Sequence, residues 1–505
     1  MAGEASERTV EATGSLWARV DARNAEAGKK RTKEQFEPIT ARQFRWVVDA
    51  ILPLALTIAV GISVLLPQTL PVPARIALFS FALAAILWST TSLNAAYVAL
   101  AVTVLMVLSG GSSQDKLFDA LASDVIWLMI GAFVLGAAVQ STGLAARLTG
   151  LVVGRARKVS SMFWLLTSVL VPLTFFIPST SGRAAIMIPV FNSIADAADD
   201  QRITRALALL IPTVILVSTI VSIIGAGSHL IANDLLHQIT GTRISFAKWA
   251  LYGVPFGVTA SVASCWTIQR MFLNAERRNR QLEVARRSQP KPLTTNEKKT
   301  LGVAGVMMAL WLTEGFHGVE IATVTVVGAL VLTLPKFGVL SWKEGLKAVS
   351  WNLIIFVGAA LVLGQALIET GAAQWIIEGV FAVSGIAGAE SHLLILLAFA
   401  FIVLTSHIYM TSHSARAAAL VPALLYLGNS LELNPTAVMF IGTVGMNYCL
   451  TFPVSSKALL MFQELEGETF QPADLLRLSA VLLIVHLVLI VAFYYGYWQW
   501  IGLAL

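Results

Sequence analysis

Apolar stretches of about 20 residues, the length that crosses a bilayer as a helix, recur along almost the whole chain. Short polar connections separate them. Of the 505 residues, 56% are hydrophobic and 13% are charged, which is too little charge to cover the surface of a soluble protein of this size. The sequence therefore predicts an all-α polytopic membrane protein.

The arrangement of these stretches predicts about 11 transmembrane helices and two re-entrant hairpins. The predicted segments are a cytosolic polar tail (1–45), a first transmembrane helix (46–73), a first repeat (74–271), a basic cytosolic linker (272–299) and a second repeat (300–505). Within the repeats we expect hairpins at 162–197 and 393–427, and broken helices at 204–236 and 435–461.

The positive charges predict the orientation of the chain in the membrane. Lysine and arginine cluster in the tail, in the linker and at Arg155–Lys158, and all three regions fall on one side if the hairpins are re-entrant. Basic loops stay in the cytoplasm. We therefore predict a protein of the inner membrane with a cytoplasmic N-terminus and a periplasmic C-terminus. The chain has a formal net charge of +6. Because its basic residues are concentrated in the tail and the loops, this charge does not indicate a nucleic-acid partner.

The two halves of the chain share motifs in the same order. The glycine pair Gly136 and Gly143 recurs as Gly364 and Gly371, each second glycine being preceded by threonine. Downstream, each half has an arginine motif followed by a proline. Internal similarity of this kind indicates a duplicated unit. Since each copy has an odd number of full spans, the second copy runs inverted, as in transporters with a site near the bilayer midplane.

Each predicted hairpin has hydroxyl side chains next to an arginine at its tip. Residues 179–185 read Ser-Thr-Ser-Gly-Arg-Ala-Ala, and residues 412–418 read Ser-His-Ser-Ala-Arg-Ala-Ala. Arginine binds carboxylate or sulfate oxygens in a bidentate manner. A lone intramembrane arginine often extends to a headgroup instead, but recurrence in both halves favours binding. The predicted substrate-binding residues are Ser179, Thr180, Ser181, Arg183, Ser412, His413, Ser414 and Arg416.

A second pair of interruptions lies in the long helix that follows each hairpin. Non-helical backbone survives at membrane depth only where it lines a polar site or is buried in protein, although a glycine or proline kink would give a similar pattern. The predicted ion-site or second-ring residues are Gly225, Gly227, Ser228 and His229 in the first half, and Thr451, Pro453, Ser455, Ser456 and Lys457 in the second. Lys457 could equally lie at the cytoplasmic interface.

These motifs resemble the divalent anion–sodium symporter family of dicarboxylate, citrate and sulfate transporters. In that family each tip carries Ser-Asn-Thr, and the following helices break at Gly-Thr-Pro-Pro-Asn-like and Pro-Val-Ala-Thr-Pro-Pro-Asn-like loops. The resemblance implies an elevator-type homodimer. Here the tip asparagines are replaced by Thr180 and His413, and Arg183 and Arg416 stand where the family has small hydroxyl residues. Fixed positive charge disfavours a sodium ion nearby and can replace its electrostatic role.

The sequence thus predicts a secondary active transporter of small divalent anions, with sodium-independent exchange as one mode of action. A sodium-coupled dicarboxylate or sulfate symporter is the alternative, and a passive anion channel is an alternative of another class. The predicted partners are the anion, the lipid bilayer and a second copy of the chain. We expect no cofactor, no metal site and no catalytic residue, since the chain lacks hydrolase and metalloprotease motifs. Cys265 and Cys449 are interpreted as packing residues.

Overall fold

The computed structural model describes residues 39–65, 70–91, 93–281, 292–375, 392–465 and 469–505. Most of the predicted tail, residues 282–291 of the predicted linker and the connection at 376–391 lie outside the described residues. The chain divides into a first unit that ends at Ala59 and a second unit, Val60–Leu505. The first unit contributes the beginning of helix α1, Ile39–Leu65. The site lies entirely in the second unit.

Every regular element in these described segments is a helix. In the first half of the second unit the helices are α2 (Val72–Thr90), α3 (Ala95–Leu108), α4 (Gln114–Asp119), α5 (Asp124–Ser141), α6 (Leu144–Val153), α7 (Val159–Leu173), α8 (Thr180–Ala198), α9 (Gln201–Val217), α10 (Gly227–Thr240) and α11 (Phe246–Phe272). Side-chain caps fix several of their starts: Asn94 accepts from two backbone amides of α3, and Asp200 does the same for α9.

The described helices of the second half follow a similar order. They are α12 (Ala275–Asn279), α13 (Thr295–Leu312), α14 (Glu314–His317), α15 (Ile321–Thr333), α16 (Trp342–Ala348), α17 (Trp351–Glu369), α18 (His392–Thr405), α19 (His413–Ser430), α20 (Pro435–Met446), α21 (Lys457–Gln463) and α22 (Pro472–Gly496). Capping boxes begin α13 at Thr294 and α16 at Ser341.

Six helical segments of the described chain are long and apolar enough to cross a membrane. They are Val72–Thr90, Gln114–Ser141, Gln201–Val221, Phe246–Phe272, Trp351–Glu369 and Pro472–Gly496. Shorter apolar helices, such as α3, α15 and α20, accompany them. Large apolar side chains on the outer helices are exposed, as lipid-facing residues are: Tyr97, Leu108, Trp127 and Val488 are examples. The fold is that of a polytopic membrane protein.

The centre of the molecule is formed by α9 and α20. Every residue of α9 from Ala206 to Val217 is buried, and so is every residue of α20 from Ala437 to Met446. In the apolar window at α9, 89% of the residues are buried, against 28% in the window at α2. A helix that is apolar on all sides belongs in the interior. The two helices that the sequence predicts to be broken are therefore the most enclosed.

Both central helices are interrupted. We call residues 218–226 break 1 and residues 447–456 break 2; each contains short 3₁₀ turns and then continues as α10 or α21. The arms that precede them pack in the same way in both halves, α7 and α8 against α9, and α18 and α19 against α20. The turn at 174–179, before α8, is called tip 1, and the turn at 406–412, before α19, is called tip 2.

Candidate functional site

The two tips have the same backbone geometry. Ser179 caps α8 by accepting from the amide of Gly182 at 3.1 Å, and Ser412 caps α19 by accepting from the amide of Ala415 at 3.3 Å. The amide of Arg183 donates to Ser179 O at 2.9 Å, and the amide of Arg416 donates to Ser412 O at 3.0 Å. Each arginine thus lies in the first turn of its helix. Because a helix N-terminus carries partial positive charge, a cation there is unfavourable unless an anion compensates it.

The guanidinium of Arg183 is fully buried and joins three segments. Its Nη1 donates to the hydroxyl of Thr174 and to that of Ser218 (3.5 Å), and its Nη2 donates to the carbonyl of Gly225 at 3.1 Å. Thr174 follows the end of α7, while Ser218 and Gly225 lie in break 1. Only Nε of this guanidinium has no partner. Arg183 therefore connects tip 1 to break 1.

The guanidinium of Arg416 is also fully buried, but its surroundings differ. Its Nη2 donates to the sulfur of Cys449 at 2.6 Å, and both Nε and Nη1 have no partner among the described residues. The ring of His413 lies close to the same sulfur, with Nδ1 at 3.7 Å. Among the described residues, neither Arg416 nor Arg183 forms an ion pair with a carboxylate. The site region consequently contains two buried positive charges without a nearby acidic side chain of their own.

The non-helical backbone of break 1 is satisfied by side chains. The carbonyl of Ile220 accepts from the indole of Trp249 at 2.9 Å, that of Ser222 accepts from Nδ1 of His229 at 3.0 Å, and that of Gly225 accepts from Arg183. Buried carbonyls without a partner would be costly. These bonds allow the chain to leave the helix inside the protein.

Asn447, at the start of break 2, connects the two halves of the chain. Its Oδ1 accepts from the hydroxyl of Ser228 at 3.0 Å and lies 3.4 Å from Nδ1 of His413. Its Nδ2 donates to the carbonyl of Thr443 at 3.0 Å and to Nε2 of His229 at 2.6 Å. Since Nδ1 of His229 donates to a carbonyl, its Nε2 is the acceptor of the neutral ring. We call Ser228, His229, His413 and Asn447 the Asn447 cluster.

A second polar network surrounds break 2. Nδ1 of His407 donates to the carbonyl of Leu404 at 2.8 Å, so its Nε2 accepts from the hydroxyl of Thr451 at 2.6 Å. The hydroxyls of Thr451 and Ser479 are 2.7 Å apart, and Tyr448 donates to the carbonyl of Ser479 at 2.6 Å. This network connects α18, break 2 and α22. Side-chain hydrogen bonds therefore stabilise break 2 as they stabilise break 1.

The remaining predicted residues differ in their surroundings. Thr180 and Ser181, the first two residues of α8, are half-buried, and the hydroxyl of Ser181 lies 3.1 Å from that of Ser179 in tip 1. Ser414 is half-buried beside Gly227, where a Cβ would lie 3.6 Å from its Oγ. In break 2, Pro453 is buried within a 3₁₀ turn, and the buried Oγ of Ser455 has no partner among the described residues. Ser456 caps α21, and Lys457 is exposed as the first residue of that helix.

The structure thus brings the first turn of α19, directly after tip 2, to the first turn of α10, through Ser414 beside Gly227 and through the Asn447 cluster. It also brings tip 1 to break 1, where the hydroxyl of Thr174 lies 3.3 Å from that of Ser218 and both accept from Arg183. The sequence interpretation missed Asn447, His407 and the contact of Cys449 with Arg416. Asn447 could have been singled out because an amide within an otherwise apolar span needs partners. Its partners Ser228 and His229 are 219 and 218 positions away along the chain, so no local pattern could identify them.

Comparisons with known proteins match most of the chain. The family described as "Sodium:sulfate symporter transmembrane region" matches residues 48–504. A "Membrane protein" of Cupriavidus necator is 27% identical over 467 residues, which cover 86% of this chain and 89% of that protein. The "Citrate/succinate antiporter" of Escherichia coli is 22% identical over 348 residues, covering 65% of this chain and 70% of that one.

The similarity to solved structures is illustrated by a transporter with a similar fold. It is the YdaH transporter of Alcanivorax borkumensis, described as having an unusual topology, with a TM-score of 0.55 and 14% sequence identity. The similarity covers 86% of this chain and all of that one. At this level of identity the comparison concerns the fold alone.

Proposed function

The chain belongs to the sodium:sulfate symporter family, and we propose that it is a secondary active transporter of small divalent anions of the dicarboxylate type. One observation carries this proposal: two buried arginines occupy equivalent positions in the two halves, and neither has a carboxylate partner among the described residues. A buried cation without a counter-charge is costly. An anionic substrate of two negative charges would compensate both.

The proposed substrate site comprises the tip residues and the two breaks. Helix N-termini, hydroxyls and guanidinium groups all favour an anion there. The half-buried residues Ser412, His413 and Ser414 give the anion a path toward Arg416. The first turn of α10, directly after break 1, contributes Ser228 and break 2 contributes Asn447, so both halves of the chain would contact one substrate.

The transport mechanism that we propose is alternating access by two inverted repeats. The matching caps of tips 1 and 2, and the matching packing of their arms on α9 and α20, support a duplicated unit. Elevator movement and a homodimer are part of the same proposal, on the basis of the family. The N-terminus would be cytoplasmic and the C-terminus periplasmic in the inner membrane, as the basic loops indicate.

The proposed coupling mode is exchange of anion for anion without sodium. Fixed guanidinium charge replaces the role of bound cations, and a relative carries the name citrate/succinate antiporter. The alternative is sodium-coupled symport of a dicarboxylate or sulfate, which the family's description favours. A passive anion channel is the alternative of another class.

Uptake into liposomes tests the proposal. Purified protein is reconstituted, and labelled succinate, citrate, sulfate and chloride are offered with and without a sodium gradient. We expect saturable uptake of succinate or citrate that unlabelled dicarboxylate inhibits. Unsaturable flux of all four anions would indicate a channel, and uptake of none of them would refute anion transport.

A further inference from the structure

Arg183 and Arg416 are equivalent in sequence and in backbone geometry but not in their contacts. From this difference we infer that Arg416 binds a carboxylate group of the anion, whereas Arg183 is a positioning residue that holds break 1 against tip 1. The inference rests on the proposed function and assigns different roles to two arginines that occupy equivalent positions in the two sequence motifs.

The contacts of Arg416 favour direct binding. Its one partner is the sulfur of Cys449, and a thiol sulfur is a weak acceptor. Two of its three nitrogens, Nε and Nη1, have no partner in the part of the chain that the structure describes, although the side chain is fully buried. A carboxylate would provide strong, charge-assisted acceptors in place of one weak neutral acceptor. The free energy gained by adding an anion is therefore large at this position.

The contacts of Arg183 favour a structural task. Its two terminal nitrogens already donate to Thr174, Ser218 and the carbonyl of Gly225. An anion that took over these donors would leave the Gly225 carbonyl without a partner inside the protein, and this loss would offset much of the gain. The packing around Gly225 is also close: a Cβ there would lie 2.2 Å from the carbonyl oxygen of Thr219 and 2.7 Å from Thr174. Arg183 thus acts on the substrate through the shape of break 1.

Inserting a carboxylate beside each arginine separates the two roles. Cys449→Asp supplies Arg416 with an internal counter-charge, and Cys449→Asn is its uncharged control of similar size. Ser218→Asp and Ser218→Asn form the matched pair at Arg183. Affinity for succinate and citrate is measured on the purified full chain from the anion-induced shift of the unfolding temperature.

We expect Cys449→Asp to bind both anions at least about tenfold more weakly than Cys449→Asn, because the inserted carboxylate takes up the charge-assisted hydrogen bonds that Arg416 would otherwise donate to the anion. Ser218→Asp and Ser218→Asn should differ from each other by less than about threefold. Equal affinities within the Cys449 pair, or a loss within the Ser218 pair as large as that expected at Cys449, would overturn the inference.

A second set of variants covers the case in which an inserted aspartate prevents folding. Arg416→Gln should raise KM for succinate uptake and remove the anion-induced stabilisation. Arg183→Gln should lower the unfolding temperature without anion and reduce the turnover rate, with KM changed by less than about threefold. Arg183→Lys should restore part of the turnover, since a lysine can still donate to the Gly225 carbonyl. A loss of anion-induced stabilisation in Arg183→Gln as complete as in Arg416→Gln contradicts the division of roles.

The wild-type protein distinguishes failure of the inference from failure of the proposed function. Wild-type protein that neither takes up nor is stabilised by succinate, citrate or sulfate refutes the anion-transport proposal and this inference with it. Wild-type protein that binds one of these anions, together with equal effects at both arginines, refutes the inference alone.

Discussion

At the scale of single residues, Asn447 is the group on which the contact between the two halves depends. It hydrogen-bonds to Ser228 and His229 of the first half while it remains bonded to Thr443 on its own helix. All four of these residues are fully or almost fully buried, so a lost partner cannot be replaced easily by solvent. The cluster therefore couples break 2 to the first turn of α10, and His229 connects that turn to break 1 through the carbonyl of Ser222.

We expect Asn447→Ala and His229→Ala each to lower the free energy of unfolding by about 1–3 kcal/mol, because each leaves buried polar atoms without partners. In the double variant the two losses should not add, with a coupling energy of about 0.5–3 kcal/mol. Denaturant or thermal unfolding in detergent measures all three variants. As a control, Asn94→Ala removes the cap of α3 and shares no partner with His229; paired with His229→Ala it should be additive within about 0.5 kcal/mol. Additive losses for Asn447→Ala and His229→Ala would show that the hydrogen bond between the two side chains does not contribute to the free energy of unfolding.

The residues also show what sequence patterns can and cannot provide. The serine and arginine motifs repeat in both halves, so the matching backbone geometry of the two tips could be expected from the sequence alone. The unequal partners of Arg183 and Arg416 were not, because they depend on which atoms break 1 and break 2 present: hydroxyls and a carbonyl in one, a thiol in the other. Cys449, interpreted as a packing residue, contacts a guanidinium for the same reason.

At the scale of elements, the breaks begin earlier than the glycine and proline motifs indicated. Helix α9 ends at Val217, whereas the first motif starts at Gly225, and α20 ends at Met446, before Thr451. In break 1, the hydroxyls of Ser218 and Thr219 bond to the carbonyls of Ile215 and Leu216, in competition with the helix. The glycine marks where two segments approach each other closely, not where the helix ends.

Gly225→Ala tests whether this close approach holds break 1 in place. The added methyl group would lie 2.2 Å from the carbonyl oxygen of Thr219, so the backbone must move. We expect a loss of about 2–3 kcal/mol in the free energy of unfolding and a strong reduction of uptake. Gly305→Ala is the matched control, because a Cβ at Gly305 meets nothing within 4 Å and the residue lies inside helix α13; it should be neutral or stabilising by about 0.5–1 kcal/mol. Equal stability of the two variants would mean that break 1 accommodates the additional methyl group without a loss of stability.

At the scale of the whole molecule, the orientation predicted from the basic loops can be tested directly. Phe316 is 93% exposed beyond the end of α13, and the predicted topology puts it in the periplasm. Asn279, exposed at the end of α12 beside the basic linker, should be cytoplasmic. Both native cysteines are buried, so they give little background. In intact cells an impermeant thiol reagent should label Phe316→Cys but not Asn279→Cys, and Leu505→Cys should behave like Phe316→Cys. The reverse pattern would invert the topology.

The fold class was predictable because the length of the apolar segments is a strong signal of membrane-spanning helices. The predicted all-helical membrane architecture is confirmed. The contact between the first turns of α19 and α10 was not predictable, since it depends on how helices from opposite halves pack. Residues such as Ser414 and Gly227 become neighbours only in the folded protein, 187 positions apart by their numbers.

The last prediction concerns the cycle of the whole carrier. Arg183 and Arg416 are covalently part of the protein, so they cannot leave with the anion as bound sodium ions would. An empty carrier would return with two buried positive charges and no carboxylate partner among the described residues. A penalty of only about 1.4 kcal/mol on that step slows it tenfold, and buried charges in membranes cost more than this. We therefore expect labelled succinate to enter liposomes preloaded with unlabelled succinate at least about tenfold faster than empty ones, with or without sodium. The pH is varied in parallel, because His229 and His413 lie within the Asn447 cluster. Uptake that requires a sodium gradient and does not respond to preloading would establish sodium symport instead.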